Sequence, residues 1–310
     1  MRIVFMGTPD FAVPSLEKLY GEGHQIALVV TQPDRPVGRK KKLTPPPVKT
    51  AALNLDIPLI QPEKLSHPEA IEAMRQTRPD AIALVAFGAL LRKEVLELPE
   101  LGCINAHASL LPKYRGAAPV QWAIAEGEKV TGITTMKMDQ GLDTGDILLK
   151  EEVEIRQDDT GGSLHDRLAP VAGELLVKTL AGLERGGITP QPQDDREATY
   201  APQLRKSDGK IDWDMPAEKI ALRVRAFHPW PGTFTEVSGD NMKVMWAEVL
   251  DKSTEGKSPG EVIKCGREGI TVACGEGAIL ITRLQPPGKR DMDVCEWLSG
   301  HCLDTGTMLG

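Results

Sequence analysis

The sequence lacks the features that mark secreted, membrane-spanning and zinc-binding proteins. Its 310 residues contain five cysteines, an odd number without a Cys-x-x-Cys pair, which argues against a disulfide framework and a zinc ribbon. The apolar run at residues 3–6 stops at Gly7 and is too short for the core of a signal peptide. No apolar stretch reaches the length needed to cross a bilayer. We therefore expect a protein of the reducing cytoplasm with no membrane partner.

The chain also lacks an excess of positive charge and the motifs of dinucleotide and metal sites. With 37 Lys and Arg against 44 Asp and Glu, the net charge is -7, so any contact with nucleic acid requires a local basic patch. Residues 7–10 (Gly-Thr-Pro-Asp) occupy the place of a ligand-binding loop after a first strand. They do not form the Gly-x-Gly-x-x-Gly fingerprint, so a dinucleotide cofactor is not supported. The six histidines and five cysteines show no ligand spacing, and no metal is expected.

The chain length predicts two domains, and the first half has an α/β pattern. Short apolar runs alternate there with helical patterns, which is typical of a parallel sheet covered by helices. We predict strands at residues 2–6, 26–31, 81–86 and 103–107, and helices at residues 12–20, 68–75 and 163–183. The predicted fold of residues 1–185 is a Rossmann-like domain with a parallel-rich sheet.

A different pattern follows residue 185. Residues 186–208 are rich in Gly, Pro, Gln and Asp and lack apolar periodicity, which predicts a linker. Residues 209–310 form the predicted second domain, with a helix at 216–227 and short strands at 233–237, 243–249, 260–264, 269–273 and 278–284. Regular short strands with glycine turns favour a small β-barrel, and within that class we expect an OB-like barrel.

Three polar residues form the candidate catalytic site. Asn105 and His107 lie two residues apart in a predicted strand, so their side chains should project from the same face. Asp143 lies between two glycines, which allow a tight loop to bring its carboxylate to the end of that strand. A carboxylate beside a histidine favours the imidazolium and fixes its orientation. An asparagine amide can donate to an oxyanion, so the set suits acyl transfer to an amine.

The flanking residues carry a resemblance to a known family. Residues 105–119 (Asn-Ala-His-Ala-Ser-Leu-Leu-Pro-Lys-Tyr-Arg-Gly-Ala-Ala-Pro) resemble the signature of the folate-dependent formyltransferases, and residues 138–145 (Met-Asp-Gln-Gly-Leu-Asp-Thr-Gly) resemble their catalytic aspartate loop. The stretches at residues 5–12, 31–39 and 225–232 are similar to the branch of the family that acts on methionyl initiator tRNA. The resemblance runs nearly the whole length of the chain, and it implies the same two-domain fold.

The resemblance also implies substrates and residue roles. The formyl donor would be 10-formyltetrahydrofolate, and the acceptor would be the α-amino group of methionine on initiator tRNA. Asn105 would donate to the formyl oxygen with His107 as a second donor, and Asp143 would hold His107 and help to move the proton of the amine. The donor pocket would be lined by Ser109, Leu110, Leu111, Pro112, Phe87, Gly88, Leu90, Asp139 and Gly141. Phe87, Ala89 and Arg92 depart from the usual family residues.

Basic residues identify the expected tRNA contacts. Residues 35–49 hold Arg35, Arg39, Lys40, Lys41, Lys42 and Lys49 together with four prolines, which predicts an exposed loop whose natural partner is phosphate. By resemblance this loop engages the acceptor end of initiator tRNA. Lys206, Lys210, Arg223 and Arg225 flank the predicted interdomain region and are candidates for a further part of the tRNA path. One chain holds both elements, so we expect a monomer.

Other functions remain open from the sequence. The same three polar residues serve formylation of an amino sugar nucleotide, formylation of glycinamide ribonucleotide, or hydrolysis of the formyl group. The basic loop and the barrel domain favour tRNA over these. An RNA-binding protein with a degenerate catalytic domain would have lost Asn105, His107 or Asp143, and a nucleotide-binding regulator would have the glycine fingerprint.

Overall fold

The structure is a computed structural model that describes residues 1–38, 41–237, 239–250 and 254–310. These residues form two compact units. The first unit comprises residues 1–119, 130–154 and 165–202, and the second comprises residues 120–129, 155–164 and 203–310. The predicted boundaries at residues 185 and 209, with a linker between them, stay a prediction.

Strands and helices alternate through the first part of the chain, and strands dominate the last part. In the described residues the strands are β1 Arg2–Gly7, β2 Gln25–Val30, β3 Arg35–Val37, β4 Lys42–Thr44, β5 Leu59–Ile60, β6 Ala81–Val85, β7 Cys103–His107, β8 Arg115–Gly116, β9 Val130–Lys137, β10 Ile147–Glu154, β11 Tyr200–Ala201, β12 Thr233–Val237, β13 Asp240–Leu250, β14 Val262–Gly266, β15 Gly269–Ala273, β16 Ala278–Gln285 and β17 Met292–Asp293. The helices are α1 Val13–Gly21, α2 Pro47–Asn54, α3 Pro68–Gln76, α4 Lys93–Leu96, α5 Pro119–Ala125, α6 Gly161–Glu184, α7 Ala217–Ala226 and α8 Val294–Leu298.

The main sheet of the first unit has the strand order β10-β9-β7-β6-β1-β2-β5. From β7 to β5 all neighbours are parallel, whereas β9 pairs antiparallel with both β7 and β10. Every residue of β6 is buried, as expected for a central strand of a parallel sheet with both faces covered. The predicted α/β, Rossmann-like domain with a parallel-rich sheet is confirmed. The antiparallel edge formed by β9 and β10 was not predicted from the sequence.

The second unit is built on an antiparallel sheet in the order β12-β13-β16-β15-β14, with β17 beside β16. Its core includes Trp213, Ile220, Val244, Val272 and Ile281, all buried. Helix α7 buries Ala217, Ile220, Ala221 and Val224, which recur at the three- and four-residue spacing of one helical face. The predicted C-terminal β domain is confirmed.

Helix α6 is the longest helix of the described chain, with 24 residues. It starts two residues before its predicted beginning and ends one residue after its predicted end. None of the helices in the described residues combines the length and the apolar character that crossing a bilayer requires.

Candidate active site

Strand β7 positions two of the three predicted catalytic side chains. Asn105 pairs with Leu84 of β6 and Met136 of β9, and His107 pairs with Thr134 of β9. Because strand residues two apart project from the same face, the Asn105 amide and the His107 imidazole lie side by side at the carboxyl end of the strand. His107 is buried, and Asn105 is half-buried. In the described part of the chain, the Asn105 amide has no hydrogen-bond partner.

The His107 ring is fixed through Nε2 and directs Nδ1 toward Asp143. Its Nε2 atom lies 2.9 Å from the backbone oxygen of Tyr114. A carbonyl oxygen only accepts hydrogen bonds, so this contact places a proton on Nε2. The Nδ1 atom faces Asp143, 3.7 Å from Oδ2. The pair becomes a charged pair when a proton arrives on Nδ1.

Asp143 reaches His107 from a tight loop. The residue has a φ of 53°, in the left-handed region, where aspartate is one of the better tolerated residues. Its Oδ2 atom accepts a hydrogen bond of 2.8 Å from the backbone nitrogen of Gly116. Earlier in the loop the Asp139 carboxylate accepts from the Gly141 nitrogen at 2.9 Å and from the Thr144 hydroxyl at 2.8 Å. The structure therefore brings Asn105, His107 and Asp143 together, with Asp139 and Gly141 shaping the loop.

Hydrogen bonds within the segment after β7, and between it and Thr134 of β9, hold that segment in place. The Ser109 hydroxyl donates to the Lys113 oxygen at 2.6 Å. The Thr134 hydroxyl donates to the Ser109 oxygen at 2.6 Å and accepts from the Leu111 nitrogen at 3.1 Å. Ser109 and Leu111 are fully buried, whereas Leu110 and Pro112 are half-buried. Of these four predicted donor-site residues, Leu110 and Pro112 have side chains that a ligand can reach.

The other predicted donor-site residues follow β6. Phe87 is buried, Gly88 has a φ of 80° and is exposed, and Leu90 is 63% exposed. On the aspartate loop, Leu142 is 50% exposed. Leu90 and Leu142 therefore present apolar side chains to solvent.

Residues of the predicted basic loop form a small exposed hairpin. Strands β3 and β4 pair antiparallel, and Arg35, Lys41 and Lys42 are exposed. The Arg35 guanidinium lies 2.9 Å from Glu63. Arg39 and Lys40, two of the predicted tRNA contacts, lie outside the described residues.

A polar cluster lies at the base of this hairpin. Lys49 Nζ donates to both oxygens of Asp34 at 2.8 and 2.9 Å, and Gln61 Nε2 donates to the same carboxylate at 2.8 Å. The hydrogen bonds from Lys49 and Gln61 hold the pKa of Asp34 below its usual value. Lys49, named with the basic loop from the sequence, is therefore engaged by Asp34.

The candidate tRNA residues of the second unit differ in their surroundings. Lys206 and Lys210 are exposed, and Arg223 on α7 is half-buried. Arg225 donates to the backbone oxygens of Asp159 at 3.0 Å and Arg156 at 3.3 Å. Burial lowers the pKa of the Arg225 guanidinium from its usual value. Arg225 thus has backbone partners within its own unit.

Sequence reasoning did not assign a role to Arg115, Gln193 or Thr199, which contact the residues around the site. Arg115 is buried and donates to Gln193, whose amide donates to the aspartate loop. Thr199 accepts from the Tyr114 nitrogen. Gln193 and Thr199 lie in a segment without apolar periodicity, and no local pattern indicates their partners.

The site holds no obvious metal centre or reactive thiol. In residues 1–38, 41–237, 239–250 and 254–310, no three or more His, Cys, Asp and Glu side chains are grouped to hold a metal ion. Cys103 begins β7, and burial raises the pKa of its thiol to about 12, so it stays neutral at physiological pH.

Two family models match the chain. Residues 1–180 match the family described as formyl transferase, and residues 203–302 match the family described as formyl transferase, C-terminal domain. A methionyl-tRNA formyltransferase of Acetivibrio thermocellus is 49% identical over 310 residues, covering 100% of both chains.

Solved structures share the fold at low sequence identity. A sugar 3N-formyl transferase, WlaRD, solved in the presence of dTDP and 5-N-formyl-THF, has a TM-score of 0.68 at 17% identity, covering 94% of this chain and 99% of its own. A methionyl-tRNA formyltransferase from Clostridium thermocellum has a TM-score of 0.55 at 20% identity, covering 82% of this chain and 95% of its own.

Proposed function

The chain belongs to the formyltransferase family, and from that premise we infer that it transfers a formyl group from a formyl-folate to the amino group of methionyl-tRNA. We propose 10-formyltetrahydrofolate as the donor and methionyl initiator tRNA as the acceptor. The observation that supports this proposal most strongly is the meeting of Asn105, His107 and Asp143 at the end of β7. Their surroundings support one role for Asn105 and a shared role for His107 and Asp143.

Asn105 is the oxyanion donor in this proposal. When the methionyl amine attacks the formyl carbon, negative charge develops on the formyl oxygen. The Asn105 amide has no partner in the described residues, so its NH2 group is free to donate to that oxygen. In the neutral His107 ring, Nε2 donates to Tyr114 and Nδ1 carries no proton, so Asn105 is the donor for this oxygen. A fixed donor of this kind typically contributes a factor of about a hundred or more to the rate.

His107 and Asp143 move the proton. The attacking amine must lose a proton as the new carbon–nitrogen bond forms, and the departing nitrogen of the folate must gain one. Because Nε2 of His107 donates to Tyr114, the basic nitrogen of the neutral ring is Nδ1, the atom that faces Asp143. A proton accepted there is stabilised by the Asp143 carboxylate. The pair is thereby suited to take the proton from the amine and to return it to the leaving group, directly or through water.

Apolar and basic residues of the first unit are the candidate substrate contacts. The exposed leucines 90 and 142 and the half-buried Leu110 and Pro112 offer apolar surface for the flat rings of the folate. The backbone of four further residues would complete that surface: Phe87, Gly88, Asp139 and Gly141. On the hairpin, Lys41, Lys42 and Arg35 present positive charge to tRNA phosphates.

In the second unit, Lys206 and Arg223 are our candidates for contact with the rest of the tRNA. We further propose that the enzyme works as a monomer. Methionyl initiator tRNA is consumed in translation, so we propose that the enzyme works in the cytoplasm. The chemistry requires no metal.

The test is formyl transfer with a panel of acceptors. Purified protein and 10-formyltetrahydrofolate are mixed with methionyl initiator tRNA, methionyl elongator tRNA, an amino sugar nucleotide or glycinamide ribonucleotide, and Asn105→Ala is run in parallel. The proposal predicts transfer to the initiator tRNA alone, reduced by about a hundredfold or more in the variant. Transfer to a small acceptor, or equal activity of the variant, would contradict it.

A further inference from the structure

We propose that Gln193 is a positioning residue for the formyl-transfer reaction, which holds the Asp143 loop opposite His107, and that Arg115 sets the orientation of the Gln193 amide. This inference rests on the proposed function and concerns how its proton-transfer pair is kept in place. Neither residue touches the reacting atoms. Both act through Asp143.

Gln193 holds the aspartate loop by its backbone. Its Nε2 atom donates two hydrogen bonds of 2.8 Å, one to the oxygen of Asp143 and one to the oxygen of Gly145. The two carbonyls belong to residues on either side of Thr144, so one amide group spans the turn. Asp143 has a φ of 53°, a conformation that costs a non-glycine residue free energy and persists only where its surroundings fix it. The two bonds from Gln193 supply such a constraint.

Arg115 decides which end of the Gln193 amide faces the loop. Its Nε and Nη2 atoms donate to Gln193 Oε1 at 3.0 and 2.8 Å. A guanidinium has donors and no acceptor, so the amide atom beside it must be the oxygen. The NH2 end is then directed at the carbonyls of Asp143 and Gly145. Arg115 is 2% exposed, and its Nη2 atom also donates to Asp195 at 2.8 Å.

The backbone on both sides of Arg115 contacts the same pair of catalytic side chains. Tyr114 accepts the hydrogen bond from His107, and Gly116 donates to the Asp143 carboxylate. Strand β8, which contains Arg115 and Gly116, pairs with β11 and is held by it. Arg115 therefore lies between the two residues that fix His107 and Asp143, and its side chain controls the third contact. The three contacts together set the 3.7 Å separation of Nδ1 and Oδ2.

The separation of His107 Nδ1 and Asp143 Oδ2 matters for the rate of formyl transfer. Proton transfer depends on the alignment of donor and acceptor, and a displacement of about 1 Å can lower a rate by about a hundredfold. Without the Gln193 amide, the Asp143 loop keeps the contact from Gly116 and the Asp139 contacts with Gly141 and Thr144, and it loses both bonds that tie its backbone to the segment of Gln193. We expect the loop to move and the Asp143 carboxylate to leave its place beside His107.

Two substitutions separate the functions of the Gln193 amide. Gln193→Glu keeps an oxygen for Arg115 and places a second oxygen against the carbonyls of Asp143 and Gly145. Gln193→Met removes donor and acceptor without adding charge. The matched controls are Gln191→Glu and Gln191→Met, because Gln191 is exposed and lies in the same segment. All four proteins are assayed for kcat, for KM with both substrates, and for Tm.

We expect both Gln193 variants to lower kcat by about ten- to a hundredfold, with each KM within about twofold of the parent and the Gln191 controls unchanged. The decisive readout is a double-mutant cycle with Asp143→Asn. If Gln193 acts through Asp143, Gln193→Met in the Asp143→Asn background lowers kcat by less than about twofold further. A merely structural role would give the same loss in both backgrounds.

The inference is overturned if Gln193→Met has a kcat within about twofold of the parent, or if its effect is unchanged in the Asp143→Asn background. The proposed function has a separate failure, because it is contradicted if the parent protein transfers no formyl group to methionyl initiator tRNA. A parent that is active, an Asp143→Asn variant that is impaired and a Gln193→Met variant that is normal would refute the inference alone.

Discussion

The end of β7 and the basic hairpin of β3 and β4 are held in different ways, although both belong to the first unit. His107 and Asp143 are nearly buried, and each contacts backbone groups that are themselves hydrogen-bonded to a distant segment. Arg35, Lys41 and Lys42 on the hairpin are exposed, and the polar contacts described for the hairpin lie mainly at its base. The difference fits the two roles proposed for these regions. Acyl transfer requires fixed alignment, whereas attraction of phosphates requires accessible positive charge.

Among three predictions for the backbone of the aspartate loop and for the hairpin, the largest effect is expected at Gly145. A Cβ atom at this position would lie 1.9 Å from the Lys137 oxygen, so Gly145→Ala must displace the loop that carries Asp143. We expect kcat to fall by about tenfold or more, because the proton-transfer pair loses its alignment. Gly187→Ala is the matched control, since the nearest atom to its Cβ would be 3.7 Å away. A normal kcat for Gly145→Ala would show that the loop need not be held as observed.

On the hairpin the expected effect is on binding. Lys41→Ala combined with Lys42→Ala removes two exposed charges, and we expect the Kd for methionyl initiator tRNA to rise by about tenfold while kcat stays within about twofold. The plot of log Kd against log salt concentration should become shallower by about one to two units. Lys150→Ala, an exposed lysine on β10, serves as control. A loss of kcat with unchanged Kd would remove the distinction between the two regions.

The smallest effect concerns the base of the hairpin. Hydrogen bonds from Lys49 and Gln61 lower the pKa of Asp34, so its contribution is present above the usual aspartate pKa and is lost as the pH falls through the lowered value. Asp34→Asn removes the charge at neutral pH. We expect trypsin to cleave after Lys41 or Lys42 about threefold faster.

Glu63→Gln is the control for Asp34→Asn. Glu63 forms an exposed ion pair with Arg35, with side chains 66% and 61% exposed, and such pairs contribute little to stability. Its cleavage rate should match that of the parent protein. Equally faster cleavage of both variants would mean that the contacts of Asp34 do not hold the base of the hairpin.

Strand β7 could be predicted because its signals are local. The short run after Gly102 predicted β7 with its observed bounds, and the two-residue period of a strand predicted that Asn105 and His107 share one face. The glycines around Asp143 indicated a tight loop, which the left-handed backbone of that residue bears out. The predictions of β7 and of the Asp143 loop rest on residues that are close together in the sequence.

The rest of the site depends on pairings that leave no local pattern. Gln193 lies 78 residues from Arg115 and 50 from Asp143, in a segment rich in Gly, Pro and polar residues. Strand β9 is buried over six consecutive residues, so it lacks the alternation that marks a half-buried strand. The contacts of Gln193 and the burial of β9 form only when distant parts of the chain fold together. The sequence alone therefore did not indicate them.

The most direct test of the account is single-turnover formylation by Asp143→Asn. An asparagine keeps an oxygen for the Gly116 nitrogen and removes the charge that faces His107, so the loop should remain in place. With saturating donor and methionyl initiator tRNA, the account predicts a rate constant about a hundredfold or more below that of the parent and a tRNA Kd within about threefold. A rate constant equal to that of the parent, or a loss confined to tRNA affinity, would contradict it.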